Sequence, residues 1–489
     1  MSYRITTVLS ALLVVLSIAP GCHSGKQKER TLYVAMSVGP VSRDPLRTFD
    51  EVSQAVLGNV FQSVMPGVSG EQPGLGVVSR WVNPDMHTWD LFVRPSRVFH
   101  DGRPVLATDV DASIRTAMSD PESPLAPLLR AVVDVRAIGD DRVRISTSGP
   151  TNLVADLAFV PVVPQGKHVT GDETPVGSGP YRVVRWVADR RIVLRRVATA
   201  AAGTRPPDLV EFVVTPDAES ARRVLMALDP LIMLMVEPEI LTEAEKHGFR
   251  RVATPTSAAT YLVCNLRPGR VTAQARLRRA IAAAADPAEL IRRMQADEVP
   301  ADDFLPSTVF GHVNGRYHAD PRWLDDRPTQ SSPLELVVMD TIRNVGVQLT
   351  EVLQGAGFDV HLNVLPVGDT LRALSEGRFD LSVIGYGCTS GSGLELYELG
   401  FTDQAESDSQ WNFSGYRNPR VDSLVAEAKG ALDPAVQHRL LVSIGDEVLH
   451  DLPWIPLFEV RRSAAVSPSV RWTPAADGRF LLLDVEMPR

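Results

Sequence analysis

The sequence predicts an α/β protein of more than one domain, on three observations. The chain has 489 residues, 44% hydrophobic and 22% charged, enough for two or three packed cores. Its first half reads as strands and hairpins. Its second half alternates short apolar strands with helical patterns, the order that builds a mainly parallel sheet.

In order along the chain, "TLYVAMSVGP" from Thr31 alternates apolar and polar residues and ends at the turn formers Gly39 and Pro40, a strand and its exit. "DEVSQAVLGNVFQSVM" carries Val52, Val56, Val60 and Val64 on one face of an amphipathic helix. "HTWDLFVRP" sets Trp89, Leu91 and Val93 against polar neighbours, a half-buried strand. "DGRPVLATDVDASIRTAM" gives a turn and a helix, with Thr108 as N-cap and Asp111 completing a capping box. "DVRAIGDDRVRISTSGP" is a hairpin turning at Gly139-Asp140-Asp141, and Gly179-Pro180 bends the chain into the strand Tyr181 to Trp186, whose hairpin partner is "RRIVLRRV". Later, "QARLRRAIAAAADPAELIRRM" is two helices broken at Asp286-Pro287, the second started by that pair at N-cap and N1. "LELVVMD", "DVHLNVLPV" and "FDLSVIGYG" are strands separated by helices over 341–355 and 370–377, and two helices, from Pro419 and from Pro434, lead to strands after Pro453.

The formal charge of -9 is scattered, with no basic block to follow a nucleic-acid backbone, so no nucleic-acid partner is expected. The start differs from the rest: Arg4, an apolar run from Val8 to Ile18, then small residues up to Cys22 have the layout of an export signal. That run is too short to cross a bilayer, which takes about 20 residues, and no later segment is apolar enough. "APGC" resembles a bacterial lipobox. This implies a signal peptide over 1–21, a diacylated Cys22 as mature N-terminus, and a tether over 22–30 that holds the protein at a membrane through its lipid. Cys264 and Cys388 are the remaining cysteines; they make no disulfide framework or zinc pattern, and whether they pair is open.

Several segments in fixed order are similar to the family 5 extracellular solute-binding proteins of ABC importers, which include dipeptide-, oligopeptide- and nickel-binding members. They are "SRDPL", "NVFQSV", "WVNPDMHTWDLFVRPSRVFHDGRPVLATDVDASI", "PVGSGPYRVVRW", "YLVCNLRP", "RLRRAIAAAADPAELI", "NPRVDSLVAEA" and "DLPWIPLF". The resemblance covers nearly the whole mature chain. It implies a periplasmic-binding-protein type II fold: two α/β lobes around a cleft, with a strand-rich subdomain inserted in lobe 1. Lobe 1 would take 31–50, 167–253 and 458–489, the insert 51–166, and lobe 2 254–457. Function would be capture of a peptide-like solute and its delivery to permease subunits by a monomer, through hinge closure at two lobe crossings. A receptor or scaffold with the same fold, uncoupled from import, is the alternative.

The loop "VIGYGCTSGSG", 383–393, is the most informative candidate site. As a phosphate cradle it fails, because Gly385, Gly387 and Gly391 are one residue off the dinucleotide spacing and no P-loop lysine follows. The resemblance instead makes Tyr386, Gly387, Cys388, Thr389 and Ser390 part of the lobe 2 wall of the cleft. Peptide-binding relatives carry there an aspartate that meets the ligand's ammonium; Thr389 or Ser390 stands in its place, with Glu395 and Glu398 one turn on. Trp411 and Asn412 are further candidates on this side. Across the cleft the resemblance offers the backbone of Ser37, Val38 and Gly39 at the end of the first strand. The pair His100-Asp101 sits in a Gly/Pro turn and reads as structural, as do Tyr261 and Asn265. G-x-S-x-G, H-E-x-x-H, S-x-x-K and zinc spacings are absent and the ten histidines do not cluster in sequence. No catalytic residue, metal or cofactor is therefore expected.

Overall fold

The computed structural model describes residues 29–488 except 67–75, 86, 150, 152, 168, 170, 198–203, 236, 326, 328–332, 389, 403–410, 432 and 475–478. The expected signal peptide, Cys22 and Thr389 lie outside the described residues.

β1 (Thr31–Met36) is buried on both faces: Leu32, Val34 and Met36 enter one core, Tyr33 and Ala35 another, the two-residue period of a strand. α1 (Glu51–Leu57) starts at Asp50, whose side chain accepts from the Ser53 amide. It ends sooner than its valine spacing predicts. Val60 and Val64 are fully buried, yet beyond Gly58 the backbone turns so that Asn59 and Val60 carbonyls accept from the Tyr181 and Gly179 amides. A side chain at Gly179 would lie 2.6 Å from the Asn59 carbonyl oxygen, so this contact needs glycine.

The insert follows. β2 (Val78–Asp85), β3 (Thr88–Val93), β4 (Val132–Ile138) and β5 (Arg142–Thr147) form an antiparallel sheet in the order β2-β3-β5-β4, covered by α2 (Ala107–Ser119). The β4-β5 hairpin turns at Gly139 with φ +66°. α2 begins one residue before Thr108, and the carboxylate at its start is Asp109 rather than Asp111. One Asp109 oxygen accepts from the Leu106 amide at 2.8 Å and the other from the Gln165 amide at 2.8 Å. That two-point hold outweighs a single hydroxyl cap. α3 (Leu153–Leu157) closes the insert.

β6 (Tyr181–Val187), β7 (Arg191–Arg196), β8 (Leu209–Val214), α4 (Ala218–Ala227), β9 (Leu231–Leu234) and α5 (Pro238–Lys246) complete the first lobe. The 15-residue β10 (Arg250–Cys264) then leads to α6 (Ala275–Ala284), α7 (Pro287–Met294) and the short β11 (Val299–Pro300). β12 (Leu334–Met339), α8 (Arg343–Gly355), β13 (Val360–Leu365), α9 (Val367–Ser375) and β14 (Leu381–Gly387) alternate as the sequence predicts. α10 (Gly393–Phe401), α11 (Pro419–Gly430) and α12 (Pro434–Asp451) precede β15 (Trp454–Val466).

The strand order β13-β12-β14-β10-β15-β9-β1-β8-β7-β6 makes one sheet that serves both lobes, with β11 attached to β15. In the second lobe β13, β12 and β14 are parallel, as expected, but β14 meets β10 antiparallel, so the sheet is mixed where it approaches the other lobe. Helices α6 to α8 pack on one face there and α9 to α12 on the other. The first-lobe half packs α4 and α5 on one face. Its other face shares a single core with the insert and with the C-terminal segment through Val470, Phe480 and Leu482. β10 and β15 are antiparallel partners that run through both lobes.

Candidate functional site

The lobes meet where the pairing of β10 with β15 breaks step, between Pro255 and Ala259. The bulged residues are held in place: Thr256 Oγ1 donates to the Val460 carbonyl at 2.7 Å, and Thr308 Oγ1 donates to the Thr256 carbonyl at 2.9 Å. A bulge at the crossing re-aims the backbone and opens a cavity of about 370 Å³ between the lobes. Thr256, Ser257 and Ala258 form its floor and Gly387 its contribution from β14.

The opposite wall is aromatic. Phe49 and Phe61 flank α1, Phe159 follows α3, and Trp472 and Phe480 come from the segment after β15. Four of these rings are braced edge to face, with centroids 5.4 Å apart for Phe49 and Phe159, 5.1 Å for Trp472 and Phe480, and 6.4 Å for Phe480 and Phe212 behind the wall. Three charged side chains also line the cavity: Glu51, Arg462 and Arg479. Glu51, in the first turn of α1, is ion-paired with Arg462 on β15, and burial lowers the pKa of that guanidinium from its ordinary value. The cavity thus offers an apolar body, the Glu51–Arg462 pair and a further guanidinium, Arg479.

The loop after β14 is organised around Glu395. Its two oxygens accept from the Ser390 amide at 2.7 Å and from the Tyr386 hydroxyl at 3.1 Å, so the carboxylate one turn on reaches back and closes the loop. Burial and this carboxylate raise the Tyr386 pKa, keeping the phenol a donor. The Cys388 amide donates to the Ser257 carbonyl at 2.9 Å, and Gly387 pairs with Ala258 on β10. Beyond, Phe310 exchanges backbone bonds with Gly391 and Gly393, and a side chain at Gly393 would lie 2.3 Å from Leu305 Cδ1. Gly393 therefore answers to packing and Gly391, with φ +70°, to a turn, while among the described predicted site residues of this stretch only Gly387 lines the cavity.

The other expected residues fall elsewhere. Trp411 is 40% exposed and lies edge to face with Tyr386 at 5.7 Å. Asn412 spends its amide on its own loop, donating to the Tyr416 carbonyl at 2.8 Å and accepting from the Tyr416 amide at 3.0 Å. Ser37, Val38 and Gly39 are not among the residues lining the cavity: Val38 is exposed and Gly39 faces Asp189 in the β6-β7 turn. His100 is a clamp, its Nδ1 accepting from the Gly177 amide at 3.3 Å and its Nε2 donating to the Gly179 carbonyl at 3.0 Å. Tyr261 and Asn265 bond to backbone, at Phe304 and at Gly377 and Phe379. Cys264 and Cys388 are free and buried on opposite faces of the sheet, beside Leu262 and beside Tyr386 respectively, which rules out pairing; burial pushes the Cys264 thiol up to about 12.

Sequence reasoning missed the aromatic wall and the Glu51–Arg462 pair. Arg461-Arg462 inside the apolar run "IPLFEVRRSAAV" was the available signal, since charges in a central strand need a partner. A further carboxyl lies on the insert side: Asp156 of α3, whose pKa is pushed up to about 7 by burial and by Glu395 and Glu398 of the second lobe. Carboxyls of both lobes thus feel one another's charge.

Comparison with known proteins agrees with this architecture. The family model for bacterial extracellular solute-binding proteins, family 5, middle region, matches residues 72–325, more than half of the chain. The glutathione-binding protein GsiB of Pectobacterium atrosepticum is 23% identical over 460 residues, 87% of this chain and 88% of that protein. GsiB of Escherichia coli K12 is 22% identical over 465 residues, 88% of each. Among solved structures, the unliganded open form of the murein tripeptide-binding protein MppA superposes with a TM-score of 0.80 at 17% identity, covering 94% of this chain and 98% of that one. DppA of Helicobacter pylori, solved with the peptide STSA, gives 0.70 at 19% identity, covering 95% and 99%. With its two lobes joined by β10 and β15, the chain belongs to the family 5 bacterial extracellular solute-binding proteins.

Proposed function

We propose that this protein is the extracytoplasmic binding component of an ABC importer and takes a small peptide-like solute between its lobes. The observation that carries this is the cavity itself, walled by the first lobe, the crossing strands and the second lobe together. A ligand touching all three is bound more tightly in the closed arrangement, and closure is what a permease reads. At about 370 Å³ the cavity lies at the lower end of ligand pockets, about 300–1,000 Å³, which favours short ligands. The Glu51–Arg462 pair supplies one group for an ammonium and one for a carboxylate. The cavity asks only for binding, so the ligand leaves unaltered. Relatives named for glutathione, murein tripeptide and a bound peptide support the peptide-like class.

In this reading the lobes divide at 31–50, 167–253 and 458–489 against 254–457, with the insert at 51–166, and the bulge at Thr256–Ala258 is one hinge crossing. The protein works as a monomer held by lipid on Cys22; no helix among the described residues is long and apolar enough to cross a membrane. The test is native mass spectrometry of the protein as purified. Short peptides released on denaturation are expected. A retained sugar, or no retained solute together with no affinity for added peptides, contradicts the proposal.

A further inference from the structure

Away from the cavity, three side chains distant in sequence converge beside the lobe crossing. Asp302, His312 and Glu459 each bring a potential ligand atom within 4.8 Å of the other two. We propose that they form a binding site for a divalent first-row transition ion.

The imidazole is the first support. His312 Nδ1 lies 2.8 Å from the Leu305 carbonyl, which can only accept, so Nδ1 carries a proton and Nε2 is the nitrogen a metal would take. Nε2 faces two oxygens, Asp302 Oδ1 at 3.7 Å and Asn314 Oδ1 at 3.1 Å, so a bound ion would take the place of the proton that otherwise links Nε2 to Asn314. The charge balance is the second. Glu459 is 4% exposed between Phe458 and Val460, and neither it nor Asp302 has a Lys or Arg nitrogen within 4 Å among the described residues. The neighbouring Asp303, equally buried, is neutralised by Arg316 Nε at 2.7 Å. A buried carboxylate without a cationic side chain is a group that metals fill.

Both acids are also aimed. The Gly315 amide donates to Asp302 Oδ2 at 2.9 Å, while the Ser307 amide and hydroxyl hold the two Glu459 oxygens at 2.9 and 2.6 Å. One imidazole nitrogen with two carboxylates suits Zn²⁺ or Mn²⁺ better than Ca²⁺. Bonds of about 2.0–2.1 Å bring tetrahedral ligands within about 3.3 Å of one another, so the ion draws the three groups inward. Because Glu459 pairs with Ala259 at the edge of the bulge and Thr308 bonds the bulge itself, a bound ion ties the 302–312 segment to the hinge.

The test uses untagged protein stripped with EDTA and titrated with Zn²⁺ against a chromophoric chelator. One equivalent is expected to bind. His312→Ala should weaken it about 100-fold, and Asp302→Asn, at a side chain 41% exposed and harmless to folding, at least tenfold. Zn²⁺ should raise the melting temperature of the wild type and leave that of Asp302→Asn unchanged. Failure of the wild type to bind an equivalent overturns the site and leaves an Asp–imidazolium pair in its place. Binding that both substitutions leave within twofold overturns it equally.

Discussion

The two walls of the inter-lobe cavity are built on opposite principles. The second-lobe wall, which reaches the cavity at Gly387, is small and belongs to a glycine-rich loop bound to its surroundings through backbone: Cys388 to Ser257, Ser390 to Glu395, Phe310 to Gly391 and Gly393. The first-lobe wall is a set of rings, Phe49, Phe61, Phe159, Trp472 and Phe480, gathered from segments far apart in sequence. One wall fixes geometry and gives the ligand little surface. The other supplies the surface and tolerates different shapes. A binding protein that recognises a class of solutes needs both, a rigid edge to register against and an apolar face to fill.

The contrast can be broken from the aromatic side first. Phe480 is 7% exposed and packs on Trp472 and Phe212, so Phe480→Ala should cost about 3 kcal/mol or more of stability, read by urea unfolding. On the second-lobe wall Glu395→Ala should cost about 1–3 kcal/mol, because it strands the Ser390 amide and the Tyr386 hydroxyl. Equal costs for the two would remove the distinction between a packed wall and a hydrogen-bonded one. Glu51→Gln should weaken a zwitterionic peptide about tenfold, about 1.4 kcal/mol, measured by calorimetry, while peptides with blocked amino termini bind as before.

A pH-dependent effect is expected at Asp156, which joins the two lobes electrostatically. Its folded pKa of about 7 lies above the ordinary carboxyl value, so the folded state holds a proton that the unfolded chain releases. This stabilisation is complete below about pH 4 and is lost as pH rises through 7. Asp156→Asn should therefore be more stable than wild type at pH 8, by up to about 4 kcal/mol, and no different near pH 4, read by thermal melts across pH. A constant difference at all pH values would detach Asp156 from the lobe contact.

The fold was largely legible in the sequence, since the strand and helix signals are local. The Asp286-Pro287 start of α7, the Gly139 hairpin and the alternation from β12 to β14 all lie where period and turn chemistry put them. What went astray was decided by distant partners. Asp109 caps α2 because Gln165 holds its second oxygen, and α1 stops at Leu57 because the chain must turn to meet Gly179 and Tyr181. The site was legible only where a motif marks it. Gly387 was found by resemblance, whereas no motif marks Phe49 or Phe480. Phe49 meets its ring partner at Phe159 and Phe480 meets Phe212, both far away in sequence, and Asn412 and Tyr386, chemically suited to a ligand, are engaged by their own neighbours.

In the proposed function, peptide-like ligands occupy the space between Gly387 and the aromatic wall. Ala258 lies on the floor of that space and is half-buried, so Ala258→Trp fills the cavity with little disturbance to the core. Calorimetric titration of a panel of di- and tripeptides into wild type and Ala258→Trp tests it. The account predicts binding by the wild type and a loss of at least about 100-fold in the variant, near 2.7 kcal/mol, with an unchanged melting temperature. Equal affinity in the two proteins would place the ligand elsewhere and contradict it.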